Sequence, residues 1–327
     1  MAAGGLREVD SVEVVCLVDN VVDSLLGGTD VVKRPFTRGG QPPVEAAPFM
    51  GPGKVTKSMR AEHGFSALIS FRVDSERHSI LLDSGISLDG LAHNATLLGI
   101  DIQGIEAVVL SHGHPDHVAG LGWLAGQLGG RGVPLIAHPD AWRERRFAPP
   151  ERPPRPLPPA SRPALEAAGL RVQDSIDPTY LFDGALLITG EIERTTDFEM
   201  GFPFHETRRD GEWQPDPLIL DDQAVVLNMH GKGLVVVTGC GHAGMINTLR
   251  YAMKVSGVER VHAVIGGFHL SGPLFEGLAV PTVEAMRQIA PSTVVPCHCT
   301  GWTAGQALAA ALPEAFVQNS VGTAYLF

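Results

Sequence analysis

The stretch SHGHPDH, which directly follows the apolar run GIEAVVL, carries the residue types best suited to chemistry. His112, His114, Asp116 and His117 fall within this one short segment. Imidazole and carboxylate groups together are ligands that suit zinc, iron or manganese. Burying such groups in a core without partners would cost several kcal/mol, so a purely structural role explains them poorly. The segment therefore predicts a site for one or two divalent transition metals, with zinc favoured and manganese or iron as alternatives.

Further ligands must come from elsewhere, and several histidines follow apolar runs in the second half of the chain. They are His242 in TGCGHAG, His269 in GGFHL and His298 in VVPCHCTG. Each could be structural on its own, but repeated placement at strand ends beside glycine is what a site at the rim of two sheets needs. Cys240 is left open between a thiolate ligand and a small buried apolar residue.

The elements that must position these residues are predicted from apolar periodicity. Strands are predicted at VEVVCLVDN, FSALISFRV, HSILLDSG, IEAVVLSHGH, VPLIAH, GALLITGEI, QAVVLNMHGKGLVVVTGCGH, VHAVIGGFHL and TVVPCHCTG, with a hairpin turn at HGKG. Helices are predicted at SLDGLAHNATLLG, HVAGLGWLAGQLG, AGMINTLRYAMKVSG and VPTVEAMRQIA. The simplest fold is one α/β domain over residues 1–327, in which two sheets pack face to face with helices outside.

Two segments interrupt this pattern. Residues 145–163 contain too many prolines for a helix or a central strand, which predicts an extended surface excursion. Residues 198–218 read as a long loop of the kind that often forms a lid, with a solvated charged loop as the alternative. The residues that this loop offers for stacking or phosphate contacts are Phe202, Phe204, Trp213, His205, Arg208 and Arg209.

The composition excludes several classes of function. The chain has 327 residues, of which 44% are hydrophobic and 19% charged, so it can bury a sizeable core. A net charge of −11 argues against a nucleic-acid partner. No apolar run approaches the ~20 residues that span a bilayer, so no membrane partner is expected. We expect a small-molecule substrate and leave the oligomeric state open between a monomer and a homo-oligomer.

The cellular compartment is predicted from the N-terminus and the cysteines. The start of the chain shows no secretory signal. The four cysteines make no disulfide framework for a chain of this length. A reducing compartment, the cytoplasm, is therefore expected.

The motif HGHPDH after an apolar strand resembles the H-x-H-x-D-H signature of the metallo-β-lactamase superfamily. ILLDSG upstream and VVPCHC near the end resemble its other markers. A narrower resemblance is to the 7,8-dihydropterin-6-methyl-4-(β-D-ribofuranosyl)aminobenzene-5′-phosphate synthase group within that superfamily. Segments across almost the whole chain carry it, among them LVDN, AEHGFSALI, TGEIERTTDFE, TGCGHAGMINT and VGTAYLF.

This resemblance implies an αββα sandwich with one or two metals at the sheet edge. Carried over residue by residue, the ligands would be His112 and His114 for the first metal, Asp116 and His117 for the second, and His298 as the last. Asp83 resembles the buried acid that supports a metal-binding histidine, and a turn-forming Asp is the alternative reading.

The chain also departs from the commonest superfamily pattern. A typical hydrolase carries a further His just before the strand that begins DDQAVVLN, where this chain has PLIL. It also has a metal-bridging Asp where Cys240 stands. We therefore expect His242 to supply the missing ligand, with Cys240 beside or beneath it, and the number of metals stays open.

The resemblance implies a metal-dependent enzyme, and two reactions at one site stay open. In the first, metals activate water to hydrolyse a small phosphorylated or heterocyclic substrate. In the second, they grip the diphosphate that leaves a dihydropterin-methyl diphosphate, while an arylamine captures the methylene carbon. A nuclease and a non-catalytic metal sensor are the remaining alternatives.

Candidate residues for these reactions come from the same segments. The candidate catalytic residues are Asp116, which could orient the water, and His269. The candidate substrate-binding residues are Asn20, Glu62, His63, Glu191, His205 and Arg208.

Overall fold

The computed structural model describes residues 5–36 and 42–327, and within them the strands form two large sheets. The first sheet has, in spatial order, the strands Arg171–Asp174, Pro134–Ala137, Ala107–Val109, Glu76–Leu82, Ser66–Val73, Ser11–Val18, Ala324–Leu326 and Val32–Lys33. The second sheet has Thr179–Leu181, Leu186–Ile188, Ala224–Met229, Gly233–Thr238, Val261–Gly267 and Thr293–Cys297, with Glu8–Val9 paired alongside Ala224–Met229. A separate hairpin pairs Val44–Ala46 with Lys54–Thr56.

The sheets are buried on both faces, which explains why their strands read as continuous apolar runs. Successive side chains of a strand point to opposite faces. In the first sheet, Val14 lies in the core between the two sheets and Val15 in the cluster under the outer helices. In the second sheet, Val225 and Val226 divide between the inner core and the outer cluster in the same way.

Helices cover the outer faces of both sheets. The α-helices are Gly90–Leu98, Pro115–Val118, Leu121–Leu128, Arg162–Ala167, Met245–Ser256, Ala279–Ile289 and Trp302–Ala311, and the 3-10 turns are Ile102–Gly104, Pro139–Trp142, Phe182–Gly184, Glu276–Leu278 and His298–Thr300. In Met245–Ser256, Ile246, Leu249 and Ala252 recur at three-residue spacing and pack in the outer cluster of the second sheet. The predicted αββα sandwich is confirmed. No helix in the described residues is long and apolar enough to cross a membrane.

The proline-rich segment 145–163 and the loop 198–218 pair with each other. The sequence predicts an extended surface excursion and a separate lid-like loop. The structure instead joins them in an antiparallel sheet, here called the small sheet, with strands in the order Arg155–Leu157, Arg145–Phe147, His205–Arg209 and Glu212–Pro215. Pairing satisfies the backbone hydrogen-bonding groups of these otherwise polar strands.

The carboxyl ends of several parallel strands meet at one rim of the sandwich. In the first sheet Glu76–Leu82 runs parallel to Ala107–Val109. In the second sheet Gly233–Thr238, Val261–Gly267 and Thr293–Cys297 run parallel to one another. Each candidate ligand segment begins directly after one of these strands, so side chains from both sheets come together at this rim.

Candidate metal centre

The loop after Ala107–Val109 turns back on itself and ends in the short helix Pro115–Val118. Proline suits the first position of a helix because its missing N–H would have no partner there. The turn brings the ring of His112 within 4.6 Å of His114 and 4.3 Å of His117, measured between centroids. The predicted cluster is therefore compact in three dimensions.

Three imidazoles, those of His112, His114 and His242, form a buried group, here called the three-histidine group. One ring nitrogen of each lies within 4.8 Å of the others. Burial, reinforced by neighbouring basic groups, lowers the pKa of each imidazole well below its ordinary value. The rings are thus neutral, and neutral imidazole is the form that binds a metal ion.

A hydrogen-bond chain determines which nitrogen of His112 is free. Ser111 Oγ donates to the Asp83 carboxylate at 2.6 Å, so it accepts from His112 Nδ1 at 2.9 Å. Among residues 5–36 and 42–327, the buried Nε2 atom of His112 has no hydrogen-bond partner, and neither ring nitrogen of His242 has one. Buried polar atoms without partners are rare, and facing lone pairs of this kind are what a cation would satisfy.

The free nitrogen of His114 is set by His205 in the same manner. His205 Nδ1 donates to the backbone oxygen of Asp216 at 2.9 Å, which leaves its Nε2 as an acceptor. That atom lies 2.9 Å from His114 Nε2, so His114 donates there and keeps its Nδ1 lone pair for a metal. His205 is buried. The structure therefore places it behind a ligand, where the sequence predicted a contact with substrate.

The small sheet supports the same group through a buried ion pair. The carboxylate of Asp221 lies 2.5 and 3.0 Å from the guanidinium of Arg145. It also accepts from the amide of Gly113 at 2.8 Å, between His112 and His114. Arg145 is 2% exposed, so the first residue of the predicted surface excursion is part of the core behind the centre.

A second group combines different ligand types and is here called the mixed group. Its members are Asp116, His117, Cys240 and His298, and one ligand atom of each lies within 4.8 Å of the others. His117 Nε2 is 3.2 Å from Cys240 Sγ, and His298 Nε2 is 3.3 Å from Asp116 Oδ2. Cys240 therefore lies beside His117, and its role, which the sequence left open between a thiolate ligand and a packing residue, stays a prediction.

Polar side chains that follow strands of the first sheet orient both histidines of the mixed group. Asp83 accepts from His117 Nδ1 at 2.6 Å, the supporting role that the resemblance implied. Asn20 Oδ1 accepts from His298 Nδ1 at 3.0 Å, and Asp19 accepts from the His298 amide at 2.6 Å. Both rings consequently direct Nε2 toward the remaining ligands, which is how hydrogen bonds prepare histidines for a metal.

The electrostatics of the mixed group also suit a cation. Burial alone would lower the pKa of His117, but the Asp83 and Asp116 carboxylates raise it to about 9. Burial alone would raise the pKa of Asp116, but His117 and His298 hold it below its usual range. A site that binds a proton this firmly offers the negative potential that a divalent ion requires. Both groups therefore fit a metal ion.

The backbone is tightly packed where these segments meet. A Cβ on Gly239 would lie 2.0 Å from Ser111 Oγ and 2.6 Å from an oxygen of Asp83, so only glycine fits immediately before Cys240. Asp83, His269 and His298 have φ of 58°, 47° and 46°. Such left-handed conformations cost about 1–3 kcal/mol each and tend to occur at functional sites.

His269, one of the predicted catalytic residues, lies close to members of both groups. Its ring centroid is 4.1 Å from that of His242, and its Nδ1 has no hydrogen-bond partner in the part of the chain that the structure describes. One ring nitrogen also lies within 4.8 Å of the thiol sulfurs of Cys240 and Cys299. The structure thus brings His269 to the centre, and its catalytic role stays a prediction.

Of the predicted substrate-binding residues, Asn20 and His63 lie at the centre. Both line a cavity that opens onto the two ligand groups, and His63 Nε2 is 3.6 Å from Asp116 Oδ2. Asn20 also orients His298, so it acts on a ligand as well as on the cavity wall.

Glu62, Glu191 and Arg208 have other partners and do not line this cavity. Glu62 accepts from the amides of residues 86 and 87 at 2.9 and 3.1 Å, which fixes the loop after Asp83. Glu191 lies 3.8 Å from His138, and Arg208 pairs with Glu144 at 3.1 Å. The prediction for Glu62 and Glu191 rested on their segments, and that for Arg208 on its residue type in the loop 198–218. Neither kind of signal reveals side-chain direction.

A cavity of about 430 Å³ opens onto both groups. Its wall includes Phe202, which the sequence singled out for stacking, and Phe147, Arg155 and Phe275, which it did not. Phe147 and Arg155 belong to the small sheet, so the proline-rich segment supplies both an aromatic ring and a cationic group to the cavity. No local pattern signals this, because the position depends on pairing between distant strands.

Comparison with known proteins agrees with this geometry. The sequence model of the metallo-β-lactamase superfamily matches residues 64–251. The chain belongs to the metallo-β-lactamase superfamily. It is 30% identical over 248 residues, 75% of this chain and 83% of the relative, to the 7,8-dihydropterin-6-methyl-4-(β-D-ribofuranosyl)-aminobenzene-5′-phosphate synthase of Methanocaldococcus jannaschii. An uncharacterized protein of the same organism is also 30% identical, over 76% of this chain and 88% of its own.

The similarity to one solved structure extends over almost the whole chain. A metal-dependent hydrolase of the β-lactamase superfamily is 25% identical and superposes with a TM-score of 0.69. The alignment covers 96% of this chain and 98% of that one. The Methanocaldococcus jannaschii relative is thus named a synthase and this solved structure a hydrolase.

The departures from the common superfamily pattern have a structural explanation. His242 completes the three-histidine group, and its ring centroid is 4.7 Å from that of His112. Cys240 occupies the mixed group, where the common pattern has an aspartate. The turn that carries both residues thus contributes to both groups, and a thiol replaces a carboxylate between them.

Proposed function

We propose that this protein is a metal-dependent enzyme that hydrolyses a small phosphorylated or heterocyclic substrate. The observation that carries the proposal is the pair of adjacent ligand groups at the wall of one cavity. A structural zinc ion is normally enclosed by four protein ligands. Here members of both groups, among them His114, Asp116 and His242, line an open cavity that leaves room for a substrate.

Zinc is the metal that we propose, because imidazole, carboxylate and thiolate ligands all suit it. The residues that would hold it are His112, His114, His242, Asp116, His117, Cys240 and His298. Divalent ions bound there would lower the pKa of a water molecule and stabilise negative charge that develops on oxygen.

Two side chains are proposed to handle protons in the reaction. The Asp116 carboxylate stays ionised beside His117 and His298. Its oxygen can therefore accept a hydrogen bond from the attacking water and orient it toward the substrate. His269 lines the cavity, and its Nδ1 has no hydrogen-bond partner among the described residues, so we propose that it supplies a proton to the leaving oxygen.

The residues of the cavity wall support the proposed substrate class. Arg155 offers a guanidinium group, which binds phosphate oxygens in a forked geometry. Phe147, Phe202 and Phe275 form an aromatic side suited to a flat ring. A phosphate group and a ring in one molecule would engage both parts of the wall.

A second candidate is a transferase, and the likeness to the Methanocaldococcus jannaschii synthase favours it. In that reaction the C–O bond between a pterin methylene and diphosphate breaks. A bond forms between the same carbon and the arylamine nitrogen, which loses a proton. The same cavity would bind the pterin and the diphosphate, so the two candidates differ in the nucleophile.

The remaining proposals concern partners and location. We propose a small-molecule substrate without nucleic-acid or membrane partners, since a net charge of −11 weakens attraction to polyanions. The cytoplasm is the proposed compartment, because all four cysteines are buried free thiols, which suits a reducing environment.

Hydrolysis is tested with zinc-loaded protein and a small phosphodiester such as bis(4-nitrophenyl) phosphate. We expect turnover that is lost on chelation and falls about 100-fold or more in Asp116→Asn. Arg155→Ala should raise KM, whereas Arg171→Ala, which removes an exposed arginine outside the cavity wall, should leave it unchanged. Turnover that survives chelation in full would contradict the proposal.

The two candidates are separated by supplying a dihydropterin-methyl diphosphate with and without an arylamine. A hydrolase releases diphosphate at the same rate in both mixtures and forms the hydroxymethyl pterin. A transferase releases diphosphate only with the arylamine and forms a carbon–nitrogen bond, which mass spectrometry detects.

A further inference from the structure

A side pocket of about 320 Å³ opens next to the mixed group, on the wall formed by His298. It shares Asn20, His298 and Gly301 with the cavity over the metal centre. The two spaces are therefore adjacent. The inference below rests on the proposed function, because it treats the two spaces as one binding site.

The wall of the side pocket is mainly apolar. Trp302, the first residue of Trp302–Ala311, is 75% exposed and lines it together with Ala309 and Phe316. Tryptophan is usually well buried, so an indole left this open beside a cavity marks a surface for another molecule. Indole is also the side chain that stacks best on flat rings.

The polar groups that the side pocket offers to a ligand are side-chain amides. Gln306 and Gln318 are exposed, and within the described residues their side-chain amides make no hydrogen bond. An amide offers both donors and an acceptor, which matches the edge of a nitrogen heterocycle. The one carboxylate on the wall, Asp19, is 2% exposed and already accepts from His298 and Asn319. The pocket thus presents no free charge to a ligand.

We propose that the Trp302 pocket binds a flat, uncharged nitrogen heterocycle of the substrate. The ring stacks on Trp302, and its edge hydrogen-bonds to Gln306 and Gln318. The substituent of the ring then extends past His298 to the metal centre, where Arg155 on the small sheet faces the phosphate. An apolar chain would use the indole but leave both amides unpaired, so it fits the pocket less well.

The test is calorimetric titration of the zinc-loaded protein with pterin-6-carboxylate and with 2-naphthoate. Both probes have a flat bicyclic ring and a carboxylate, but only the pterin has hydrogen-bonding edges. We expect tighter binding of the pterin. Trp302→Ala should weaken it by about 10-fold or more, the usual loss for a stacked base. Gln306→Leu should remove the preference for the pterin over 2-naphthoate.

Phe49→Ala is the matched control, because Phe49 is a fully exposed aromatic residue outside both cavities. It should bind both probes with wild-type affinity. Unchanged pterin affinity in Trp302→Ala, in protein with normal circular dichroism and zinc content, would overturn the proposal. Equal affinity for the two probes, unaffected by Gln306→Leu, would overturn it as well and indicate a purely apolar pocket.

These outcomes are independent of turnover. If the proposed hydrolysis fails, the phosphodiester assay gives no product while pterin binding still depends on Trp302. If the pocket inference fails, phosphodiester turnover remains and the variants bind pterin like the wild type.

Discussion

The two ligand groups of the metal centre differ in charge and in the part of the fold that supports them. The three-histidine group has neutral ligands, and the small sheet supports it through His205 and the Arg145–Asp221 ion pair. The mixed group contains a carboxylate and a thiol, and the first sheet supports it through Asp83, Asp19 and Asn20.

This difference predicts that metal ions bound in the two groups have different roles. Neutral ligands leave more of an ion's positive charge for water or substrate, whereas anionic ligands offset part of it. The three-histidine group should then hold the stronger Lewis acid, and the mixed group should bind its ion more firmly. Each prediction below tests one side of this contrast, in order of decreasing effect.

The largest effect is expected from His242→Ala. It leaves the three-histidine group with two protein ligands, whereas the mixed group keeps its full set. Metal content should fall by about one equivalent, and affinity for that ion should fall by more than the roughly 100-fold that loss of a supporting hydrogen bond causes. Elemental analysis and competitive metal titration measure both quantities.

The control for this variant is His230→Ala, which removes an exposed histidine paired with Glu8 far along the hairpin. It should keep wild-type metal content. Unchanged metal affinity in His242→Ala would show that His242 is not a ligand. His269, whose ring centroid is 4.1 Å from that of His242, would then be the next candidate.

A smaller effect is expected from His205→Phe, which tests the support from the small sheet. Without an acceptor at His205, His114 loses the hydrogen bond that sets its tautomer. Metal affinity of the three-histidine group should fall by about 10- to 100-fold. His205→Gln, whose side-chain oxygen can still accept, should lose less. Equal affinities in both variants and the wild type would show that the small sheet does not support the ligand.

The residues of the metal centre differ in how far they could be predicted from the sequence. The metal-binding role of SHGHPDH could be predicted because its polar side chains are contiguous and follow a buried strand. His242, His269 and His298 could be found because the carboxyl ends of parallel strands share one rim. His205 could not be placed, since its partner His114 is 91 residues away and only pairing of distant strands brings them together.

Strands and helices, like the site residues, could be predicted only where a local sequence pattern indicates them. Strands buried on both faces could be predicted from their apolar runs, and Met245–Ser256 from its periodicity. The small sheet was missed because RRF and HETRR show no apolar alternation, whereas RPL and EWQP contain proline. The helix Trp302–Ala311 was also missed, because alanine and glycine blur its buried stripe, in which Ala304 and Leu308 are the buried residues.

The two groups should respond to pH in opposite directions in metal-free protein. Burial lowers the folded-state pKa of His112, His114 and His242 below the ordinary 6.5, so only the unfolded chain takes up these protons. Stability from this group is therefore lost as pH falls below 6.5. His117 is the reverse, despite its burial: carboxylates raise its pKa to about 9, so its contribution is complete below 6.5 and is lost toward 9.

Urea unfolding with a chelator present, from about pH 5 to about pH 9, measures this dependence. His242→Gln should reduce the acidic slope of the unfolding free energy by up to about 1.4 kcal/mol per pH unit, the value for one proton. His117→Gln should flatten the alkaline side. An acidic slope identical in His242→Gln and the wild type would contradict the neutral state of the three-histidine group.

The smallest effect on metal content is expected from Cys240→Ser, because the mixed group retains Asp116, His117 and His298. A thiolate favours zinc and cobalt over manganese, so the change should appear as altered selectivity. Zinc affinity should fall by about 10-fold or less, with manganese affinity nearly unchanged. Cobalt-loaded wild type should show a sulfur-to-cobalt charge-transfer band that Cys240→Ser lacks and that Cys297→Ser, a buried thiol outside both groups, retains. A wild-type spectrum without that band, together with equal selectivity in Cys240→Ser, would make Cys240 a packing residue and leave the mixed group with three ligands.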